Sequence, residues 1–349
     1  MIDFFPLMRP VLGLIEPERA HRLTIMGLKT GFGPHDRVAD PTSLNVDLFG
    51  LKFKNPLGIA AGFDKNGEVP DAMLAMGMGF AEVGTVTPRP QAGNPRPRVF
   101  RLTDQGAVIN RLGFNNQGHA ALRRRLEARR HRGGIVGVNI GANKDASDRI
   151  ADYEAGIRTF GDLASYFTVN ISSPNTPGLR ALQGREELET LLTRVLKART
   201  GRVPILLKIA PDLTAADRAD IAAVALDLKL DGLIVSNTTI EREGLVTGPY
   251  ARETGGLSGK PLFPLSTQVL ADMFRLTGGK LPIVGVGGIS SGADAYTKIR
   301  NGASLIQLYS ALTYEGPALV TRIKRELVEA LKRDGFARIS DAVGVDVNG

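Results

Sequence analysis

Cysteine is absent from all 349 residues. Disulfides, zinc–thiolate sites, iron–sulfur ligation within the chain and thiol nucleophiles are therefore excluded together. Also missing is any unbroken apolar run near the roughly 18 residues a spanning helix needs. The opening stretch, MIDFFPLMRPVLGLIEP, has no cationic segment ahead of a continuous apolar run, and Pro6, Arg9 and Pro10 interrupt it early. It reads as neither signal peptide nor membrane span, so the expected location is the cytoplasmic side. No HExxH or other metal-ligand spacing occurs, so no metal is expected. No Ser/Gly/Pro-rich linker divides the chain after about residue 50, which predicts one large domain over 41–349 with a small extension over 1–40.

What is present is the balance of a globular protein, 43% hydrophobic and 23% charged, with a formal charge of +8. Such a charge suits nucleic acid or an anionic membrane surface. Its densest run is Arg123, Arg124, Arg125, Arg129, Arg130 and Arg132, interleaved with Ala120, Leu122, Leu126 and Ala128 at helical spacing. That pattern predicts a solvated helix face rather than a nucleic-acid site.

From residue 55 one pattern repeats: a short apolar, β-branched run, a loop with Gly, Asn or Ser, then a segment of helical spacing. The runs are Pro56–Ala60, Phe80–Val86, Ile135–Ile140, Tyr166–Ile171, Ile205–Ile209, Gly232–Val235, Pro282–Val286 and Ser304–Tyr309. Among the intervening helices are Glu186–Ala198, with Leu188, Leu191, Leu192 and Val195 on one face, and Thr214–Leu228, with Thr214 as N-cap. Near-continuous apolar strands imply burial on both faces, and their alternation with helices implies parallel pairing through right-handed crossovers. The fold class is α/β, and eight units predict a (β/α)8 barrel; a doubly wound sheet is the competing architecture.

In a barrel the chemistry sits at the C-terminal strand ends. Those positions hold Lys65, Thr85, Asn139, Asn170 with Ser172 and Ser173, Lys208, and Ser236, Asn237 and Thr238. Two lysines and several amides, without a histidine there to pair with serine, do not make a hydrolytic triad. Asn110, Asn170, Asn175 and Asn237 offer both donors and acceptors and can read a planar heterocycle such as a pyrimidine, or equally cap loops and helices. PIVGVGGIS in strand seven and Tyr309-Ser310 after strand eight supply backbone N–H groups where barrels bind phosphate, although a tight turn alone also calls for glycine.

The segments AAGFDKNG, NPRPRVFRL, INRLGFNN, NISSPNTPGLR, KIAPD, NTT, TGGLSGKPL and GVGGI occur in the order and spacing of the class 2, quinone-dependent dihydroorotate dehydrogenases, which the chain resembles over nearly its whole length. The resemblance implies FMN on a barrel, oxidation of (S)-dihydroorotate to orotate in pyrimidine biosynthesis, and reoxidation by a membrane quinone. It implies Ser173 as the catalytic base. It implies cofactor contacts from Ala61, Gly62, Phe63, Asp64, Lys65, Thr85, Asn139, Asn170, Lys208, Ser236, Gly259, Gly288, Tyr309 and Ser310. Substrate contacts are implied for Lys65, Asn110, Arg111, Leu112, Gly113, Phe114, Asn170, Asn175, Asn237 and Thr238. Ser236 stands where threonine is also common in the family, and Phe63 where leucine is frequent. Class 1 relatives use a cysteine base and one branch an iron–sulfur partner subunit; the missing cysteine agrees with class 2 and with no such partner.

At the N-terminus, Phe4, Phe5, Leu7, Met8, Val11, Leu12, Leu14 and Ile15 are spaced for a short helix, and Pro17 begins a second with Leu23, Met26 and Leu28. Two readings stand: a lid packed on the barrel, or an amphipathic pair in the membrane interface aided by Arg9, Arg19, Arg22 and Lys29. The resemblance implies a quinone tunnel here, with His21 and Arg101 matching residues that line it, in a monomer held peripherally on the cytoplasmic face of the cell membrane. A mobile lid over substrate is expected at 175–182. Rival readings are a tRNA-dihydrouridine synthase, which employs a cysteine acid, and a non-catalytic flavin-binding barrel.

Overall fold

All eight apolar runs form strands, because each is short, β-branched and bounded by turn residues. The computed structural model describes residues 5–31 and 33–347, without the side chains of Pro6 and Val11; Phe4 lies outside the described residues. The strands are β1 (Leu57–Asp64), β2 (Phe80–Val86), β3 (Ile135–Ile140), β4 (Tyr166–Asn170), β5 (Ile205–Ile209), β6 (Gly232–Val235), β7 (Ile283–Val286) and β8 (Ala303–Leu308). Each pairs in parallel with its neighbour in sequence, and β8 pairs with β1, so the ring closes and the doubly wound alternative is excluded.

Strand boundaries depart from expectation mainly at β1, which runs on from Ala60 to Asp64. Its register against β2 shifts between Ile59 and Asp64, and Gly62 takes φ +102 within that shift. This bulge turns the backbone at the barrel mouth and lets pairing resume at Asp64.

The helices follow the amphipathic pattern. Arg185–Ala198 buries Leu188, Leu191, Leu192 and Val195. The helix Ala215–Asp227 opens on Thr214, whose hydroxyl accepts from Asp217 N at 3.1 Å while Asp217 Oδ2 accepts from Thr214 N at 2.9 Å, a reciprocal cap. The basic run begins on the helix Gly118–Ala128 and extends past its end. Several of its members are neutralised rather than solvated: Arg123 and Arg130 share Asp162, and Arg129 and Arg132 share Asp71, with the Arg129 side chain only 11% exposed.

A further sheet goes beyond the eight runs. Val99–Leu102, Ala107–Asn110 and Gly256–Gly259 pair antiparallel with Ala107–Asn110 in the middle, around a separate apolar cluster of Phe100, Leu102, Ala107, Ile109, Val246 and Leu257.

Ahead of the barrel lie α1 (Phe5–Leu14) and α2 (Pro17–Lys29). Glu16 caps α2 by accepting from the N–H groups of Glu18 and Arg19, with Pro17 at its first position. Helix α2 has two apolar faces. Ala20, Ile25 and Leu28 are buried, the last two joining the barrel's core cluster, whereas Leu23 and Met26 point outward with Leu7, Met8 and Leu14 of α1. The last is 89% exposed. No helix among the described residues is long and apolar enough to cross a membrane.

Candidate active site

One cavity of about 1590 Å³ opens between α1 and α2 and continues to the C-terminal strand ends. At its inner end the two lysines stand where β1 and β5 carry them. Lys208, on a strand buried throughout, lines the cavity, is 5% exposed, and donates no hydrogen bond among the described residues. Burial pulls its pKa down, and the charge of Glu82 acts in the opposite direction. A buried cation aimed into a cavity without an acceptor is costly unless a ligand supplies one. Lys65 donates to Gly62 O at 2.7 Å, and burial pulls its pKa down to about 8.

Between the lysines runs a row of amides and hydroxyls. Thr85 Oγ1 donates to Asn139 Oδ1 at 2.6 Å and accepts from Asn170 Nδ2 at 3.0 Å. Asn170 Oδ1 accepts from Ser172 Oγ at 2.9 Å, and Ser172 Oγ accepts from Asn237 Nδ2 at 2.9 Å. Ser173 is buried against the cavity wall, and its Oγ accepts from Asn175 N at 3.3 Å. Asn175 Nδ2 lies 3.4 Å from Asn110 Oδ1, which brings the loop after β4 onto the three-stranded sheet.

Backbone makes the opposite wall. Gly287, Gly288, Gly259, Tyr309 and Ser310 line it, and Ser310 Oγ is 2.8 Å from Ser258 Oγ. Gly288 has φ +78, and a Cβ there would sit 2.4 Å from Phe263 Cβ, so a side chain fits neither the conformation nor the space.

Of the residues expected to hold a cofactor, Ala61, Gly62, Phe63, Lys65, Thr85, Asn170, Lys208, Ser236, Gly259, Gly288, Tyr309 and Ser310 line this cavity. Asp64 and Asn139 do not: the Asp64 carboxylate turns back to accept from Glu68 N and Val69 N, and Asn139 stands behind Thr85 and Asn170. Of the expected substrate residues, Asn110, Leu112, Gly113, Phe114, Asn175, Asn237 and Thr238 join Lys65 and Asn170 on the wall. Arg111 is turned away, paired with Glu253 at 2.5 Å and stacked 4.6 Å over the Phe100 ring.

His21 and Arg101 line the outer part of the cavity. His21 is packed edge-on to Phe63 at 5.5 Å, with Nδ1 3.4 Å from Tyr309 Oη, and burial lowers its pKa to about 3. Arg101 donates to Leu12 O at 2.9 Å and also to Ile15 O, meeting the carbonyl end of α1, where a cation suits the helix dipole.

Three contributors were not singled out in the sequence. Glu82, Tyr166 and Gln307 form a polar cluster inside the barrel, where Glu82 accepts from Tyr166 Oη at 3.0 Å and from Gln307 Nε2 at 2.8 Å. The available signal was a lone Glu in FAEVGTV and a lone Gln in ASLIQL, polar residues in runs otherwise apolar enough for the interior.

The comparisons with known proteins agree with this geometry. Residues 43–331 match the family model described as dihydroorotate dehydrogenase. The chain belongs to the dihydroorotate dehydrogenase family. It is 73% identical over 347 residues to the dihydroorotate dehydrogenase (quinone) of Parvibaculum lavamentivorans, covering 99% of this chain and 100% of that one. It is 57% identical over 351 residues to the enzyme of the same description from Rhodospirillum rubrum, covering 99% and 95%. The crystal structure of a dihydroorotate dehydrogenase from Eimeria tenella in complex with ferulenol superposes with a TM-score of 0.93 at 40% identity, covering 98% of this chain and all of that one.

The donor set suits the FMN that this family uses. Among the described residues Lys208 lacks an acceptor and Gln307 Oε1 is buried without a donor, and the glycine-bearing loop after β7 and the Tyr309–Ser310 turn after β8 line the cavity. Lys208 and the amide row would suit its ring system, and Gly287, Gly288, Tyr309 and Ser310 its phosphate.

Proposed function

We propose that this chain oxidises (S)-dihydroorotate to orotate in pyrimidine biosynthesis and delivers the electrons to a quinone, with FMN as its cofactor. The carrying observation is the continuity of one cavity from two helices with outward apolar faces to the amide-lined barrel mouth. Two chemically different reactants, one lipid-soluble and one a polar ring, can thereby reach the same inner site. The activity is the one named in the descriptions of the relatives from Parvibaculum lavamentivorans and Rhodospirillum rubrum.

Bound FMN supplies the two-electron acceptor. Ser173 is the base that takes the proton from C5 as C6 gives up its hydride, and the C5–C6 double bond of orotate forms. Its burial removes competing water, and the proton it takes up leaves along a water or threonine path. Lys65 holds the substrate's negative charge, and Asn110, Asn175 and Asn237 orient the ring. Lys208 places positive charge where reduction of the cofactor adds negative charge.

Residues 1–40 form the quinone-facing extension and residues 41–349 the catalytic barrel. His21 and Arg101 stand in the quinone passage, His21 as a neutral edge beside Phe63 and Tyr309, and Arg101 as the clamp on α1. Leu7, Met8, Leu14, Leu23 and Met26 rest in the membrane interface on the cytoplasmic face, and the molecule works as a monomer.

Anaerobic stopped-flow tests this reading. Dihydroorotate should bleach the flavin of the purified protein, and a ubiquinone analogue should restore it. A bound flavin that dihydroorotate leaves oxidised would overturn the assignment. Removing residues 1–30 should spare the first step and slow the second; equal slowing of both would overturn the division of labour.

A further inference from the structure

Glu82 is fully buried inside the barrel, on β2, outside the cavity wall. Its neighbour in the register is Gly137 of β3, where a Cβ would strike the Tyr166 ring at 2.1 Å, so glycine makes the room in which the phenol reaches the carboxylate. Three donors converge on Glu82: Asn139 Nδ2 at 2.8 Å on one oxygen, Tyr166 Oη at 3.0 Å and Gln307 Nε2 at 2.8 Å on the other. Burial and the Glu82 charge push the Tyr166 phenol well above its ordinary pKa, so it stays a donor.

An ionised carboxylate only accepts hydrogen bonds. Asn139 must therefore present Nδ2 to Glu82, which leaves its Oδ1 to accept from Thr85 Oγ1 and, at 3.3 Å, from Asn170 Nδ2. Asn170 in turn has only Oδ1 left for Ser172 and for Asn237 Nδ2. Reversing the Asn139 amide would oppose two acceptors at Glu82 and two donors at Asn170. Each amide thus fixes the next, and the one charged member lies at the start of the row.

We infer that Glu82 is a positioning residue: by accepting from Asn139 it fixes the Asn139 amide, and through it sets which way the amides of Asn170 and Asn237 turn oxygen and nitrogen toward the substrate and flavin. The inference rests on the proposed function for the identity of those ligands, but the direction of the amide row follows from hydrogen-bond polarity alone. Its consequence is that a side chain touching neither ligand governs recognition of a ring whose edge alternates donors and acceptors.

The test pairs Glu82→Gln with Tyr166→Phe in the holoenzyme. Glutamine keeps the shape but adds a donor, so the row loses its single direction; phenylalanine removes a donor from the other carboxylate oxygen and leaves the Asn139 contact intact. Glu82→Gln should retain flavin, weaken orotate binding at least tenfold by calorimetry and raise the dihydroorotate KM. Tyr166→Phe should lower Tm yet bind orotate within about threefold of the parent. Equal orotate affinity in Glu82→Gln and the parent, or equal losses in both variants, would overturn the inference. Should Glu82→Gln fail to fold, neutron diffraction from the parent decides: deuterium on the Asn139 atom facing Glu82 supports the row direction, and its absence overturns it. A parent protein without flavin or orotate affinity would instead count against the proposed function.

Discussion

Glu18 of α2 and Arg98, ahead of the three-stranded sheet, form a two-armed ion pair, Oε1 to Nη2 at 2.6 Å and Oε2 to Nε at 3.0 Å. The Arg98 side chain is only 5% exposed and also donates to Ala92 O and Asn94 O. Asn94 Nδ2 then donates to the carbonyls of Arg111 and Asn175. Helix α2 and the loop that carries Ser173 are thus connected through the side chains of Glu18, Arg98 and Asn94 and the carbonyls of Asn94 and Asn175.

Glu18→Ala should loosen α2. Arg98 holds the Glu18 carboxyl down to about pKa 2, with Arg96 assisting. A folded pKa below the unfolded value means that the pair contributes fully above about pH 4.5 and is lost as the pH falls toward 2. At neutral pH the variant should lose about 2 kcal/mol, the scale of a hydrogen bond to a charged group. Thermal unfolding at pH 7 and pH 3 checks this: the gap from the parent should narrow in acid, and quinone reduction should slow more than flavin reduction.

Ser173→Ala isolates the chemical step. Flavin content and orotate affinity should hold, while flavin reduction by dihydroorotate falls by about 10²–10⁴-fold, the usual share of a positioned base. Reoxidation by quinone, measured on dithionite-reduced enzyme, should be unchanged. A loss of less than about tenfold would transfer the base role to another group.

The barrel was legible because its strands are buried on both faces and its helices on one, so periodicity carried nearly the whole pattern. The β1 bulge was not, since nothing in AAGFD distinguishes a strand that shifts register from one that ends. The three-stranded sheet was missed for a related reason: Gly256–Gly259 has little side-chain pattern of its own and pairs with segments about 150 positions away. In the site, positions were easier than roles. Arg111 sits inside a run whose other members face the cavity, yet a carboxylate at Glu253 and a ring at Phe100 draw it outward. Glu82 acts through contacts 57, 84 and 225 positions away, which a single sequence does not disclose.

Lys65 should impose a pH limit on ligand binding. Desolvation lowers its pKa to about 8, with Arg98 acting in the same direction and Glu18 against it. An anionic ligand favours the protonated form, so orotate affinity should be flat below about pH 8 and weaken up to tenfold per pH unit above it. Lys65→Met should bind orotate about ten- to a hundredfold more weakly, the range of one charge-assisted bond, and lose the pH dependence. Calorimetric titrations of both proteins between pH 6 and 10 check this; parallel curves would remove Lys65 from the anion site.

His21 should behave as a fixed neutral ring rather than a switch. Burial, reinforced by the charge on Lys65, brings its pKa down to about 3. The unfolded chain takes up a proton at this position near pH 6.5 and the folded one does not until about pH 3, so His21 withdraws stability as the pH falls between those values. His21→Leu removes that proton uptake and keeps an apolar edge against Phe63 and Tyr309. Its stability relative to the parent should therefore rise by about 2 kcal/mol between pH 7 and pH 4, allowing for residual solvent contact. Quinone reduction by the parent should show no inflection from this histidine between pH 5 and 7.5. An inflection near 6.5 that disappears in His21→Leu would mean that the ring titrates in the open passage, and that α2 stands further from Phe63 than the packed arrangement requires.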